Sequence, residues 1–284
     1  MKRINFSIIT LLVIAMTLVF ASCTKDGVYK PKKKISQIYE TNLTDPTPER
    51  VLAETWTWNG KLLSKVDYGD GDVVTFTYEK NQLTAVYSED ARTELTYDGK
   101  FIDNMKVYYD GELYMTSTFQ HEKNLVSGYT VEYAGTDANK AQVARVIENT
   151  FRFIAPEVAR AQAEAYVSSA SSNIKANSKY TVSFTYDGKN VIEQTTVSEN
   201  YKVVYQYTYT EYNNPFYGLI SKLEFSKNAP ASLVIKQDGM PDYNYSYTYK
   251  VDGKVPTQVV ENLSWSVGAM SHNESIQTDY EFVK

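Results

Sequence analysis

Short segments in which apolar and polar residues alternate recur along most of this chain, separated by turn residues. In Phe76-Thr77-Tyr78 the two aromatic side chains fall on one face of an extended strand and the threonine falls on the other. Aromatic and β-branched residues favour a pleated, half-buried surface. The pattern therefore predicts antiparallel strands with one apolar face buried and one polar face exposed to water.

Many of these segments belong to an internal repeat of the form aromatic, threonine, aromatic, polar turn, aliphatic. Its four clearest copies occupy residues 56–62, 76–83, 95–101 and 184–191. The first copies follow one another at intervals of about 20 residues, the length of one hairpin with its connection. Gly99 and Gly188 each follow an aspartate in the turn, and we expect both to have the positive φ of a tight hairpin.

The repeat predicts a mainly β fold, an antiparallel up-and-down meander of about 15 strands. So many sequential hairpins should close into a barrel or form a strongly curled sheet. One Ala-rich segment, at about 138–172, interrupts the strands. In it Val143, Ile147, Phe151 and Ile154 have helical spacing, which predicts a helical insert that caps or fills the open side of the sheet.

The N-terminus has the features of an export signal. Lys2 and Arg3 precede an apolar stretch over 6–20, and the single cysteine, Cys23, follows Ala21 and Ser22. A charged start, an apolar stretch and small residues are typical of a secretory signal peptide. With its terminal cysteine the segment resembles a bacterial lipoprotein signal, in which that cysteine is lipidated, although Phe20 stands where leucine is usual. We predict a signal peptide at 1–22, a lipidated tether at 23–34 and a β-meander domain at 35–284.

Composition restricts the partners. A formal net charge of −5, without a basic patch on the strands, argues against nucleic acid. The basic cluster at 30–34 either faces anionic lipid head groups or is a solvated part of the tether. One cysteine permits no disulfide within a chain, so stability must come from packing, for which 25 tyrosines and 11 phenylalanines supply the surface.

No catalytic motif is present, and we expect no enzymatic activity, no cofactor and no metal. His121 and His272 stand apart and have no cysteine partner, which leaves no zinc pattern. Asp67, Asp70 and Asp72 suit a calcium loop, yet the sequence Gly-Asp-Gly-Asp is also typical of a hairpin connection.

Aromatic residues are the candidates for ligand binding. On alternating strands they either pack against neighbouring strands or, where exposed, offer platforms for sugar rings. Packing is the favoured interpretation. The candidate platform residues are Trp56, Trp58, Tyr205, Tyr207, Tyr245 and Tyr247.

A barrel that spans the membrane is the competing architecture. Many segments have only six to eight residues, fewer than the roughly 9–11 that a spanning strand needs. The aromatic residues also recur along the strands and do not form two girdles. Both observations favour a barrel in water.

These features resemble a group of Bacteroidota envelope lipoproteins of unknown function, which combine a lipidation signal, YD-like hairpin repeats and a porin-like β fold. Residues 212–219 resemble the group's Asn-Pro-Phe segment, and residues 251–257 resemble its Asp-Gly-x-Pro-Thr turn. The resemblance implies a fold and an outer-membrane location but no catalytic residue.

We therefore expect a lipid-anchored outer-membrane protein, on the periplasmic face or the cell surface, that acts as a non-enzymatic binding or scaffold module. Its partners would be the membrane, through the anchor, and a glycan or an envelope protein. The alternatives are a glycan-binding surface lipoprotein and a periplasmic carrier that holds an apolar ligand in a barrel cavity.

Overall fold

The computed structural model describes residues 33–69, 71–89, 91–134, 179–199, 202–217 and 226–284. These residues form a closed antiparallel barrel in which each strand pairs with its neighbours in sequence and β1 pairs with β16. The strands are β1 (Ile35–Asn42), β2 (Val51–Asn59), β3 (Leu62–Tyr68), β4 (Val73–Glu79), β5 (Gln82–Ser88), β6 (Ala91–Asp98), β7 (Phe101–Tyr109), β8 (Glu112–Glu122), β9 (Leu125–Tyr133), β10 (Lys179–Asp187), β11 (Asn190–Ser198), β12 (Lys202–Asn213), β13 (Asn228–Gln237), β14 (Tyr243–Asp252), β15 (Val255–Val267) and β16 (Met270–Phe282).

The predicted up-and-down meander is confirmed, with 16 strands among the described residues where the sequence suggested about 15. Of the two forms that the sequence left open, a barrel or a strongly curled sheet, the structure has the closed barrel. The signal peptide, all but the last two residues of the predicted tether and the helical insert at 138–172 lie outside the described residues. The part of the chain that the structure describes contains no helix long and apolar enough to cross a membrane.

The apolar face of every repeat hairpin points into the barrel. In β10, Tyr180 and Val182 are buried, whereas Lys179, Thr181 and Ser183 are exposed on the outer wall. A barrel that spans a membrane carries an apolar band on its outside. The outer wall of this barrel carries mostly threonine, serine, lysine and acidic residues, which suit water.

The lengths of the strands do not exclude a barrel that spans the membrane. Several strands are longer than the sequence segments suggested, and the last two have 13 residues each. A length of 13 residues would be sufficient to span a bilayer. The polar outer wall, and not the strand length, is therefore the feature that disfavours membrane insertion.

The two ends of the barrel are built differently. At the end where the even-numbered strands finish, which we call the turn end, most connections are two-residue turns. There Gly99 and Gly188 have φ values of 60° and 59°, which confirms the positive φ expected for both. Lys80-Asn81 and Lys123-Asn124 also have positive φ and replace glycine in two other turns. The opposite end, where the odd-numbered strands finish, we call the loop end.

Gly99→Val and Gly188→Val should each lower the free energy of unfolding by about 1 kcal/mol or more, because a β-branched residue fits positive φ poorly. No atom of the described residues lies within 4 Å of a Cβ added at either position, so the cost is conformational and not steric. Urea denaturation followed by circular dichroism measures it. Gly99→Asn is the control and should cost less, since asparagine tolerates this conformation. Equal stability of the valine variants and the parent would contradict the assignment of positive φ to these two glycines.

Near the turn end, the second aromatic residue of several repeats joins neighbouring hairpins. Its polar atom donates a hydrogen bond to a main-chain carbonyl of the preceding odd-numbered strand, and we call these bonds tethering bonds. Most of their donors lie at or beside a β-bulge. They run from Trp58 to Ile35, Tyr97 to Leu83, Tyr186 to Val126, Tyr209 to Val191 and Tyr249 to Pro230.

The accepting carbonyls belong to residues that the ladder toward the donor's strand does not reach. The pairing of β5 with β6 covers Ala85–Ser88 and stops short of Leu83, whose carbonyl oxygen lies 2.7 Å from the Tyr97 hydroxyl. Adjacent hairpins therefore separate near the turn end, and the tethering bonds bridge the gaps. Burial raises the pKa of the Tyr97 and Tyr186 hydroxyls, which keeps both protonated as donors.

The segment that resembles Asn-Pro-Phe follows β12 and reaches strands on the other side of the barrel. The Phe216 ring lies 6.0 Å from the Trp56 ring on β2 and 5.9 Å from the Tyr280 ring on β16, measured between centroids. Asn214 Oδ1 accepts a hydrogen bond from the Phe216 amide and shapes the turn. The segment thus packs against both sides of the seam region, where the first and last strands meet.

Arg50 clamps the outer side of the seam between β1 and β16. Its guanidinium carbon lies 3.3 Å from the centroid of the Tyr39 ring, and its nitrogens lie 3.2 Å from a Glu281 oxygen and 3.4 Å from an Asp279 oxygen. Partial burial alone would raise the pKa of Asp279. Hydrogen bonds from Gln258, Gln277 and Arg50 outweigh that effect and lower the Asp279 pKa.

The seam should stabilise the barrel at neutral pH and lose this contribution in acid. A carboxyl group whose pKa is lowered by folding stabilises the folded state above its unfolded pKa, which is about 3.9 for aspartate. The contribution disappears as the pH falls through the folded value. Arg50→Gln should therefore lower the melting temperature at pH 7 and have a smaller effect at pH 3, where part of the stabilisation by the Asp279 carboxylate is already lost.

Arg92→Gln is the matched control for the seam, because Arg92 pairs with Glu94 on its own strand, 3.1 Å away. This variant should change the melting temperature little at either pH. An effect of Arg50→Gln that is the same at both pH values, or equal to that of the control, would contradict a role of the Asp279 carboxylate in closing the barrel.

Candidate functional site

The six aromatic residues suggested as a ligand platform face the interior of the barrel. Trp56, Tyr205, Tyr207 and Tyr245 have at most 5% of their surface exposed. Trp58 and Tyr247 are partly buried and pack against the same core. Their position agrees with cross-strand packing and leaves no exposed platform of these residues on the outer surface.

A few polar side chains are buried among the apolar residues inside the barrel. Glu54 is 1% exposed, and its Oε2 accepts a hydrogen bond of 2.7 Å from Trp56 Nε1. Ser117 Oγ and Gln194 Oε1 are buried without a hydrogen-bond partner among the described residues. These side chains come from β2, β8 and β11, so they are spread around the wall and do not form one cluster in the sheet.

The two histidines have different environments. His121 takes the place of a tyrosine in the repeat, because its Nε2 lies 2.6 Å from the Ile102 carbonyl oxygen. Its position is thus equivalent to that of the tyrosine donors in the tethering bonds. His272 lies on the exposed β15–β16 hairpin, with Nε2 3.8 Å from a Glu274 oxygen.

The suggested calcium loop is only partly described, since Asp70 lies outside the described residues. Asp67 pairs with Lys65 at 2.8 Å, and the Asp72 carbonyl accepts the Tyr68 amide, as in a hairpin connection. No group of three or more histidine, cysteine and acidic side chains suited to a metal ion occurs in the described part of the chain.

Exposed large apolar side chains are concentrated at the loop end. Among the described residues, ten of the twelve lie in the loop-end connections or in the adjacent parts of the strands. The two exceptions are Ile192 and Val283. The ten are Leu43, Val51, Leu52, Val73, Tyr87, Leu113, Val197, Met240, Val267 and Met270.

The β15–β16 hairpin extends beyond its neighbours at this end. Pairing of β14 with β15 stops at Ser264, and pairing of β1 with β16 stops at Ile276. Within the hairpin itself the ladder continues to the pair Val267 and Met270. The projecting two-stranded ribbon, residues 265–274, we call the lip.

The two faces of the lip differ in chemistry. Ser266, Ser271 and Asn273 point to the outer side. The other face carries Trp265, Val267, Met270, His272 and Glu274, on the side from which β15 presents Leu263 to the core. On this face 65% of Met270 and 43% of Val267 are exposed.

Three rings form an aromatic surface on the inner face of the lip. The Trp265 and His272 rings are nearly parallel, at 21° with centroids 5.6 Å apart. The Tyr243 ring lies 6.3 Å from the Trp265 ring. Sequence reasoning missed this surface. The alternation of Trp265 and Val267 before Gly268, whose φ is 59°, indicates a hairpin, but its projection depends on the register of the neighbouring strands.

The N-terminal segment joins the barrel at the end opposite the lip. Lys33 forms an ion pair with Asp252, the last residue of β14, and its Nζ lies 5.6 Å from the centroid of the Phe282 ring. Lys34 Nζ donates to the Gly60 carbonyl in the turn between β2 and β3. The chain therefore enters the described part of the barrel at the turn end.

The fold is that of a porin-like antiparallel β-barrel. The structure is similar to the crystal structure of a porin-like protein from Bacteroides uniformis, with a TM-score of 0.53, 12% sequence identity, and coverage of 88% of this chain and 98% of that chain. At this level of identity the similarity concerns the fold alone. No protein-family model matches the sequence, and no curated protein matches it.

Proposed function

We propose that this protein is a lipid-anchored, non-enzymatic binding or scaffold module of the outer membrane and that it presents its loop end to partners. The observation that carries the proposal is that the two ends of the barrel have different features. The chain enters at the turn end, whereas the exposed apolar residues and the lip lie at the loop end. Exposed apolar surface of this kind is typical of interaction sites.

The outer wall supports a barrel that stands in water beside the membrane. Threonine, serine and charged residues on that wall would be costly to place in hydrocarbon. Cys23 precedes Lys33 by ten residues, a length of about 35 Å when fully extended. A lipid on Cys23 would thus hold the turn end near the membrane and leave the loop end accessible.

The glycan-binding alternative loses most of the residues suggested for it, because four of the six are buried. The carrier alternative draws on the apolar interior of the barrel, but the described side chains there pack against one another as one core. The loop end is therefore the better candidate for contact with a partner.

The anchor is tested by Cys23→Ala. A single acyl chain binds membranes only weakly, so stable residence requires the additional chains that a lipidated cysteine carries. We expect the variant to be unprocessed or soluble in the periplasm, and the parent to fractionate with the outer membrane. Thr248→Ala, on the outer wall, is the control. A Cys23→Ala variant that still incorporates labelled lipid and fractionates with the outer membrane would refute the anchor.

The role of the loop end is tested by single cysteines that carry a photoactivatable cross-linker. Met240→Cys places the probe at the loop end, and Lys100→Cys places it in a turn at the opposite end. Both positions are exposed, and a lipidated Cys23 would not compete for the label. We expect specific cross-linked species from cells only with the loop-end probe. Equal cross-linking from both ends, or none from the loop end, would contradict the proposal.

A further inference from the structure

We propose that the lip captures an extended, basic peptide segment of a partner protein by adding it as a strand to the free edge of β16. This inference rests on the proposed binding function and names the chemistry of the partner. Three features of the lip support it: a strand edge with which no described strand pairs, an aromatic surface beside that edge, and the charge of the surrounding hairpins.

The free edge of β16 begins where its ladder with β1 ends. The Ser275 carbonyl accepts the Leu43 amide at 2.8 Å, and the Ser275 amide donates to Thr44 Oγ1 at 2.8 Å. Beyond this point no described strand pairs with β16 on that side. By the alternation of an antiparallel ladder, the amide and carbonyl groups of Ser271 and Asn273 face the free side. An extended peptide can use these groups for main-chain hydrogen bonds.

The aromatic surface would receive alternate side chains of such a peptide. An added strand places every second side chain on the face that carries Trp265 and His272. Tryptophan is the side chain over which an ammonium or guanidinium group is held best. Glu274 lies beside His272, with 30% of its side chain exposed, and would pair with the same cation.

The charge around the lip selects a basic partner. Residues 255–283 contain no lysine or arginine, and residues 237–249 of the neighbouring hairpin contain none either. Asp238 and Asp242 lie on the connection between β13 and β14, beside the lip hairpin. On the other neighbouring connection, Arg50 is held by Asp279 and Glu281. A cationic peptide meets complementary charge here, and an acidic one meets like charge.

The test uses the full-length protein in detergent and a dye-labelled octapeptide that alternates lysine with valine. Fluorescence anisotropy should show saturable binding that weakens as salt is raised. Trp265→Ala should weaken binding at least about tenfold, and Glu274→Gln about threefold to fivefold, since both remove an attraction for the cation. Trp265→Phe should lose less, and it keeps the hairpin intact if alanine disturbs it.

Controls separate the three features. Ser266→Ala, on the opposite face of the lip, should leave binding unchanged. A peptide in which alternate amides are N-methylated should fail to bind, because it cannot pair with the edge. An octapeptide that alternates glutamate with valine should also fail.

The inference is overturned if the dissociation constant of the lysine peptide is above about 1 mM. It is also overturned if the Trp265→Ala variant binds this peptide as tightly as the parent does, or if the acidic peptide binds as tightly as the lysine peptide. Preferential binding of a neutral oligosaccharide would assign the lip to a glycan and overturn it as well. Failure here with loop-end cross-linking intact would reject the basic-peptide assignment alone. Loss of loop-end cross-linking would reject the proposed function itself.

Discussion

Replacing Tyr97, Tyr186 and Tyr249 together by phenylalanine should lower the free energy of unfolding by about 3–4 kcal/mol. Each substitution keeps the ring and removes one tethering bond, worth about 1–1.5 kcal/mol. The three residues lie on β6, β10 and β14, so four strand spacings, or about 19 Å along the wall, separate successive ones. At that separation the three losses should add. Guanidinium denaturation followed by circular dichroism measures the sum.

Tyr87→Phe is the matched control, because this tyrosine is 43% exposed and takes no part in the tethering bonds. It should change stability by less than about 0.5 kcal/mol. If the triple variant loses no more than about three times the loss of this control, water has replaced the tyrosine hydroxyls, and the repeat needs another physical explanation.

Trp56→Ala should lower the free energy of unfolding by about 4 kcal/mol, the range for a buried aromatic residue. The Trp56 ring packs between Trp58 and Phe216, at centroid distances of 6.1 and 6.0 Å. Its indole nitrogen also donates to the buried Glu54 carboxyl group, so alanine removes a donor as well as volume. Trp56→Phe should cost clearly less than Trp56→Ala, since it keeps most of the packing.

The same pair of variants separates the core role of Trp56 from the ligand-platform role. If Trp56 served mainly to bind a ligand, Trp56→Ala would leave thermal stability close to that of the parent and would weaken binding. A midpoint of denaturation unchanged from the parent would therefore contradict the packing assignment, and calorimetry with intrinsic fluorescence provides an independent measurement.

The alternation of residues was sufficient to predict much of the fold. The strands near residues 76, 95 and 184 and the turns at Gly99 and Gly188 are local features, determined by side chains within one hairpin. Local sequence therefore predicted the antiparallel meander and the positive φ values, which the structure confirms. The closure of the sheet is not local, because it depends on pairing between Ile35 in the first strand and Phe282 in the last.

The site was harder to predict, because burial and projection depend on the whole barrel. Trp56 and Tyr205 could be placed on an apolar face from the sequence, but only closure makes that face an interior. Trp265 belongs to the same alternating pattern, yet its strand extends past the ladder with β14. Register differences between neighbouring strands decide which tryptophan is core and which is surface, and a single sequence does not reveal them.

The tethering bonds have a consequence for how such a barrel can change in size during evolution. Where they occur, they join one hairpin to the next through a single side chain and a main-chain carbonyl, which makes no demand on the identity of the accepting residue. A duplicated unit of about 20 residues would bring its own tyrosine and its own turn, and would insert two strands without altering the chemistry of either neighbour. Barrels of different circumference could thus arise by gain or loss of whole units, and loop-end insertions could diversify independently of the wall.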